Sequence, residues 1–141
     1  MQLKKKCNEK INFIFLRKAI YKTDNIPINI FLSFSVEHSI FRKNKSDYHE
    51  VVQTISFKSL FERYKQNVDF LKIDIEGAEK FLLMSSIPKT IRVLVVEWHH
   101  QCGVPWKDFE DCIKKQGFKL LKRTLDTTEL KVAYFIRESN K

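Results

Sequence analysis

Apolar and polar positions alternate along the chain in two periods, and these divide it into short strands and helices. Two runs rich in Ile and Phe come first, "INFIFL" (Ile11 to Leu16) and "INIFLSF" (Ile28 to Phe34). They are separated by Asp24, Asn25 and Pro27, so both read as strands divided by a turn. A polar stretch from Glu37 to Glu50 reads as a loop. Beyond it, "SFKSLFERYK" opens on Ser56 as an N-cap, with Leu60, Phe61 and Tyr64 at helical spacing.

"VDFLKIDI" is the next strand, after which Gly77 lets the chain turn sharply. Ala78, Phe81 and Leu82 fall at i, i+3 and i+4, so a helix with one buried stripe is expected there. "IRVLVVEW" is nearly continuous in apolar residues. Such a run suits a central parallel strand covered on both faces. Pro105 and Trp106 open a further helix, with Trp106, Phe109, Cys112 and Ile113 on one face and Gly117 just past its end. Finally, "FKLLKRTL" and "ELKVAYFIR" flank "DTT" as an antiparallel hairpin. The order predicts an α/β fold: an open sheet with an antiparallel edge, built as one domain over residues 1–141.

Charge adds a terminal asymmetry. Of the formal net charge of +9, Met1 to Lys22 carry +6 and the remainder +3. A short basic end can contact nucleic acid or anionic lipid, but without interleaved aromatic residues or a nucleic-acid readout motif it reads as a solvated terminus. Cys7, Cys102 and Cys112 are an odd set without paired spacing, which fits free thiols in a reducing, cytoplasmic setting. The apolar patch near the N-terminus is broken by Arg17 and Lys18 after six residues, too soon for a signal peptide or a membrane span.

The candidate chemistry lies at the strand ends. In "FLKIDIEGAE" the period of two puts Lys72, Asp74 and Glu76 on one face of a strand, and Glu97 and His99 share a face at the end of the next. Parallel neighbours would bring these groups together at the carboxyl edge, where open α/β sheets bind their ligands. The competing account is that Asp74, Glu76 and Glu79 charge the first turn of the following helix, worth about 0.3–1 kcal/mol each. Glu97 favours a site, because no helix begins within one turn of it. A zinc set from His99, His100, Cys102 and Cys112 lacks metal-ligand spacing, and an Asp, Glu and His set for a harder cation has no spacing to recommend it.

"VDFLKIDIEGAEKFLL", preceded by "ISFKSLFERY" and followed by "IRVLVVEWHH", resembles the FkbM-type family of S-adenosylmethionine-dependent methyltransferases. The resemblance implies a seven-stranded Rossmann-like sheet with an antiparallel final strand, and O-methylation of small-molecule or glycan hydroxyls. It implies S-adenosylmethionine as cofactor, with Asp74 and Glu76 beside its methionine part and the acceptor. Glu97 and His99 would face the acceptor, and His99 or an acid would take the hydroxyl proton. Lys18, Ala19 and Ile20, following the first strand, would pass the adenine.

One element of the family pattern is missing. Gly77, Gly103 and Gly117 are the only glycines, and none forms the G-x-G turn that lets a backbone approach such a cofactor. The expectation is therefore a sheet incomplete on its N-terminal side, completed by another chain or rearranged. The alternative is a non-catalytic α/β remnant that binds or supports a partner.

Overall fold

The computed structural model describes residues 14–31, 49–64 and 68–138. They form a mixed α/β fold with two sheets. The first sheet has three strands in the order β1-β3-β2: β1 (Lys18–Ile20), β2 (Pro27–Phe31) and β3 (His49–Ile55). β3 runs parallel to β1 and antiparallel to β2.

Two expectations change in this sheet. The first strand lies at Lys18–Ile20, not at "INFIFL": residues 14–16 are not in a strand, and residues 11–13 lie outside the described residues. Pairing decides this, because Lys18 to Ile20 lie in register with Gln53 to Ile55. β3 occupies a region expected to begin as loop; of the stretch from Glu37, only His49 and Glu50 are described, and both are in the strand. Its inward positions are Val52 and the hydroxyl of Thr54, which accepts from the Ile26 N–H at 3.0 Å and donates to the Thr23 carbonyl at 2.7 Å.

Helix α1 (Phe57–Tyr64) follows, and the Ser56 hydroxyl accepts from the Ser59 N–H at 3.2 Å as its sequence predicts. Asp24 adds a second brace by accepting from the Ser56 N–H at 2.5 Å and from the Ser59 hydroxyl. Phe57 and Phe61 point from α1 into the main core.

The second sheet has the order β4-β5-β7-β6, from β4 (Phe70–Asp74), β5 (Val93–His99), β6 (Phe118–Asp126) and β7 (Leu130–Arg137). β4 and β5 are parallel neighbours, and β6 and β7 form the expected antiparallel hairpin. Helix α2 (Trp106–Lys115) precedes that hairpin, and Gly117 follows it at φ 86°, a left-handed turn that glycine adopts without strain.

Ile73, Leu94, Val96, Trp98, Ala133 and Phe135 point from this sheet into one core, where they meet Phe109 and Ile113 of α2. Burying these side chains supplies the driving force for folding, at roughly 25 cal/mol per Å² of apolar surface removed from water. Val95, on the opposite face of β5, is buried but stands outside that core cluster. The expected helix after Gly77 is instead a 3₁₀ stretch, Glu79–Met84. Its apolar stripe is nonetheless buried, with Ala78, Phe81 and Leu82 all in the core. Tyr21, just after β1, packs edge-on against Phe81 at 5.0 Å between ring centroids, joining the first sheet to this core.

Candidate functional site

Alternation along β4 and β5 divides the side chains between two faces. Ile73, Leu94, Val96 and Trp98 enter the core, so Lys72, Asp74, Glu97 and His99 take the other face. The parallel register pairs Asp74 with Glu97 across the two strands. His99 stands two residues beyond Glu97 on the same side. Three groups thus reach the carboxyl edge through strand geometry alone, and one donor atom from each lies within 4.8 Å of the others.

The turn after β4 supplies the rest. Glu76 and Gly77 both have positive φ, 50° and 100°, which reverses the chain within two residues. Glycine tolerates this freely, whereas a non-glycine residue there carries backbone strain of about 1–3 kcal/mol. The reversal carries Glu79 inward, where it is 0% exposed. One carboxylate oxygen, Oε1, accepts from the Gly77 N–H at 3.1 Å and from His99 Nδ1 at 2.9 Å. Its Oε2 is buried without a hydrogen-bond partner.

Because a carboxylate only accepts, its contact with Glu79 fixes Nδ1 of His99 as the protonated nitrogen. Nε2 then faces outward, 3.5 Å from Glu76 Oε2 and 3.9 Å from Glu97 Oε1. Gln101 Nε2 also reaches Glu76 Oε2, at 3.5 Å. Lys72 Nζ lies 3.1 Å from Asp74 Oδ2 and offsets part of the negative charge. Burial disfavours a charged His99. The hydrogen bond and charge of Glu79, with Glu76 and Glu97 nearby, outweigh it and hold the imidazole above its ordinary range.

Asp74, Glu76, Glu97 and His99 are therefore brought together as the sequence suggests. Helix capping does not account for the acids, because the element that follows is a 3₁₀ stretch of six residues with no side-chain cap hydrogen bond. Lys18, Ala19 and Ile20 are elsewhere: they are β1 of the three-stranded sheet and not a segment following a strand. Cys102 is buried against Val104, and burial pushes its thiol up, away from reactivity.

Glu79 is the residue that sequence reasoning placed wrongly, as a helix-end charge. A signal was present in its spacing. Glu79 and Leu82 are three apart, the interval at which side chains eclipse in a 3₁₀ turn, and both are 0% exposed.

The α/β fold thus gathers a histidine and four acids where two parallel strands end, the edge at which open α/β sheets generally bind ligands. The chain belongs to the FkbM methyltransferase family: the model of the methyltransferase FkbM domain matches residues 8–120, a span that includes every residue of the cluster. No curated protein and no solved structure matches the chain significantly. Among the described residues, no helix is long and apolar enough to cross a membrane.

Proposed function

We propose that the chain is an S-adenosylmethionine-dependent methyltransferase acting on the oxygen of a small-molecule or glycan hydroxyl, and that the cluster at the ends of β4 and β5 is its acceptor side. The family match over residues 8–120 carries this reading. The sheet order β4-β5-β7-β6 supports a Rossmann-like arrangement, since it combines a parallel pair with an antiparallel final strand. In this reading residues 1–141 act as one domain, in the cytoplasm, and Lys18, Ala19 and Ile20 pass the adenine.

S-adenosylmethionine supplies, when bound, a methyl group on a positively charged sulfur. Asp74, Glu76, Glu79 and Glu97 fit such a group in charge, because Lys72 offsets only part of theirs. Glu79 holds the His99 ring through Nδ1, and Glu97 and His99 line the acceptor side. In this reading Glu76, in the turn above the strand ends and 3.5 Å from His99 Nε2, would take the hydroxyl proton. No Gly-rich turn to approach the cofactor lies within these 141 residues, whose glycines are Gly77, Gly103 and Gly117.

Calorimetric titration with S-adenosylmethionine tests the cofactor half of this reading. The 141-residue chain is expected to bind weakly or not at all, and addition of a Gly-rich segment that completes the sheet to restore binding. Tight binding by the chain alone would mean that the cofactor site is misplaced. With the completed domain, transfer of a labelled methyl group to hydroxyl acceptors should be lost in Glu76→Gln.

A further inference from the structure

We propose that Asp74, Glu97 and His99 form a binding site for one divalent first-row cation, of which Mn²⁺ is the type. Strand register sets Asp74 opposite Glu97, and the period of two sets His99 on the same face as Glu97. Their donor atoms are already within 4.8 Å of one another, so small side-chain rotations are enough to converge on a single ion. Two carboxylate oxygens and one imidazole nitrogen suit a cation that accepts both donor types, and three ligands leave positions open for a substrate oxygen.

The second observation lies behind the ring. Metal-bound histidines generally donate their other N–H to a carboxylate, which fixes the ring and raises its basicity. Here that partner is in place: Glu79 Oε1 accepts from Nδ1 at 2.9 Å and leaves Nε2 3.5 Å from Glu76 Oε2 and 3.9 Å from Glu97 Oε1. Glu79 is also 0% exposed, with Oε2 buried and unpartnered, so a polar atom beside the ring is left unsatisfied. Buried charges are paired or bound to metal. A cation on Nε2 would take the place of the proton that these acids otherwise favour there.

Lys72 pairs with one oxygen of Asp74 and leaves the other available. The role of the ion rests on the methyl transfer proposed above, although its binding does not. The ion would hold the acceptor oxygen and lower the pKa of its hydroxyl. The oxygen lone pair then forms the new C–O bond as the C–S bond breaks, with that electron pair passing to sulfur and the hydroxyl proton to Glu76.

The test is titration of the 141-residue chain with MnCl₂, without cofactor or acceptor, followed by electron paramagnetic resonance of the free ion. One equivalent should bind. Asp74→Asn, a change at the exposed rim, and Glu97→Gln should each weaken binding by more than about 10-fold, since losing even an outer-shell partner typically costs 10–100-fold. Glu79→Gln tests the outer-shell role and should fall within about 10–100-fold. Asp126→Asn, on the distant hairpin, should change nothing. A thermal melt of each variant separates lost binding from lost folding. Binding that survives both Asp74→Asn and Glu97→Gln, or an absence of stoichiometric binding in the folded parent chain, would overturn the site. If Mn²⁺ binds as expected but no completed domain transfers a methyl group, the site stands and the methyltransferase reading fails.

Discussion

The pairing of Glu79 with His99 makes a prediction that differs in size from any helix-end account. His99→Ala removes the donor at 2.9 Å and leaves Glu79, 0% exposed, with the Gly77 N–H as its remaining hydrogen-bond donor. Breaking a buried pair from one side typically costs about 3–5 kcal/mol. The imidazole is itself partly exposed and its removal admits water, so the lower end applies, about 3 kcal/mol. For a chain of this size each kcal/mol moves the melting temperature by roughly 3 °C, so a fall of about 9 °C is expected. Glu79→Gln keeps an acceptor for Gly77 and for Nδ1 while removing the charge, and should cost about 1 kcal/mol or less. Combined with His99→Ala it should recover part of the loss, giving a coupling of about 1.5–3 kcal/mol in a double-mutant cycle. Urea unfolding of the four proteins measures this directly. Costs that add within about 0.5 kcal/mol would show that the two side chains are independent and refute the reasoning.

Glu76→Gln and Glu97→Gln should leave the melting temperature of the ligand-free chain unchanged or raised, because each relieves repulsion among neighbouring acids. A clear loss at Glu97 would return it to the scaffold. Asp24 is held below its ordinary value by hydrogen bonds from Ser59 and Ser56. Its folded pKa is depressed, so its contribution is present above the unfolded value of 3.8 and is lost as pH falls through the lower folded one; acid titrations of wild type and Asp24→Asn should diverge in that window. Phe109 is 0% exposed beneath the four-stranded sheet, and Phe109→Ala should cost about 3–5 kcal/mol by chemical denaturation.

Those elements whose pattern was set by burial were legible in the sequence. β4, β5, α2 and the β6–β7 hairpin follow from apolar runs and turn residues, and their pairing follows from element order. β3 was not legible, because its inward positions hold only one valine and a threonine whose hydroxyl is satisfied by two backbone groups. Hydrogen bonding, not apolar alternation, fixes that strand. "INFIFL" shows the reverse: it has the composition of a strand, but pairing with Gln53 to Ile55 selects the less apolar Lys18 to Ile20. Ala78 and Phe81, three apart, fit an α-helix and a 3₁₀ turn alike, and Leu82 at i+4 tips the pattern towards the α-helix that does not form.

The site was legible for a related reason, and only to the depth that strand alternation reaches. A period of two places Asp74, Glu97 and His99 on one face whatever follows them, provided that β4 and β5 are parallel neighbours. Glu79 depends on something a linear pattern does not carry, namely the two consecutive left-handed residues at Glu76 and Gly77. Had the chain entered an α-helix there, Glu79 would have been another solvated acid in a first turn. The tight reversal instead drives it under the strand ends, where it meets the ring at Nδ1. Gly77→Ala, at φ 100°, should therefore act on the cluster as well as on the turn. The strain of a side chain at that φ costs about 1–3 kcal/mol, and relaxing it withdraws the N–H that Glu79 accepts at 3.1 Å. The accompanying loss of the Glu79–His99 contact should appear as a downfield-to-normal shift of the Nδ1 proton resonance. An unchanged resonance in a folded Gly77→Ala protein would show that the turn and the histidine are not mechanically linked.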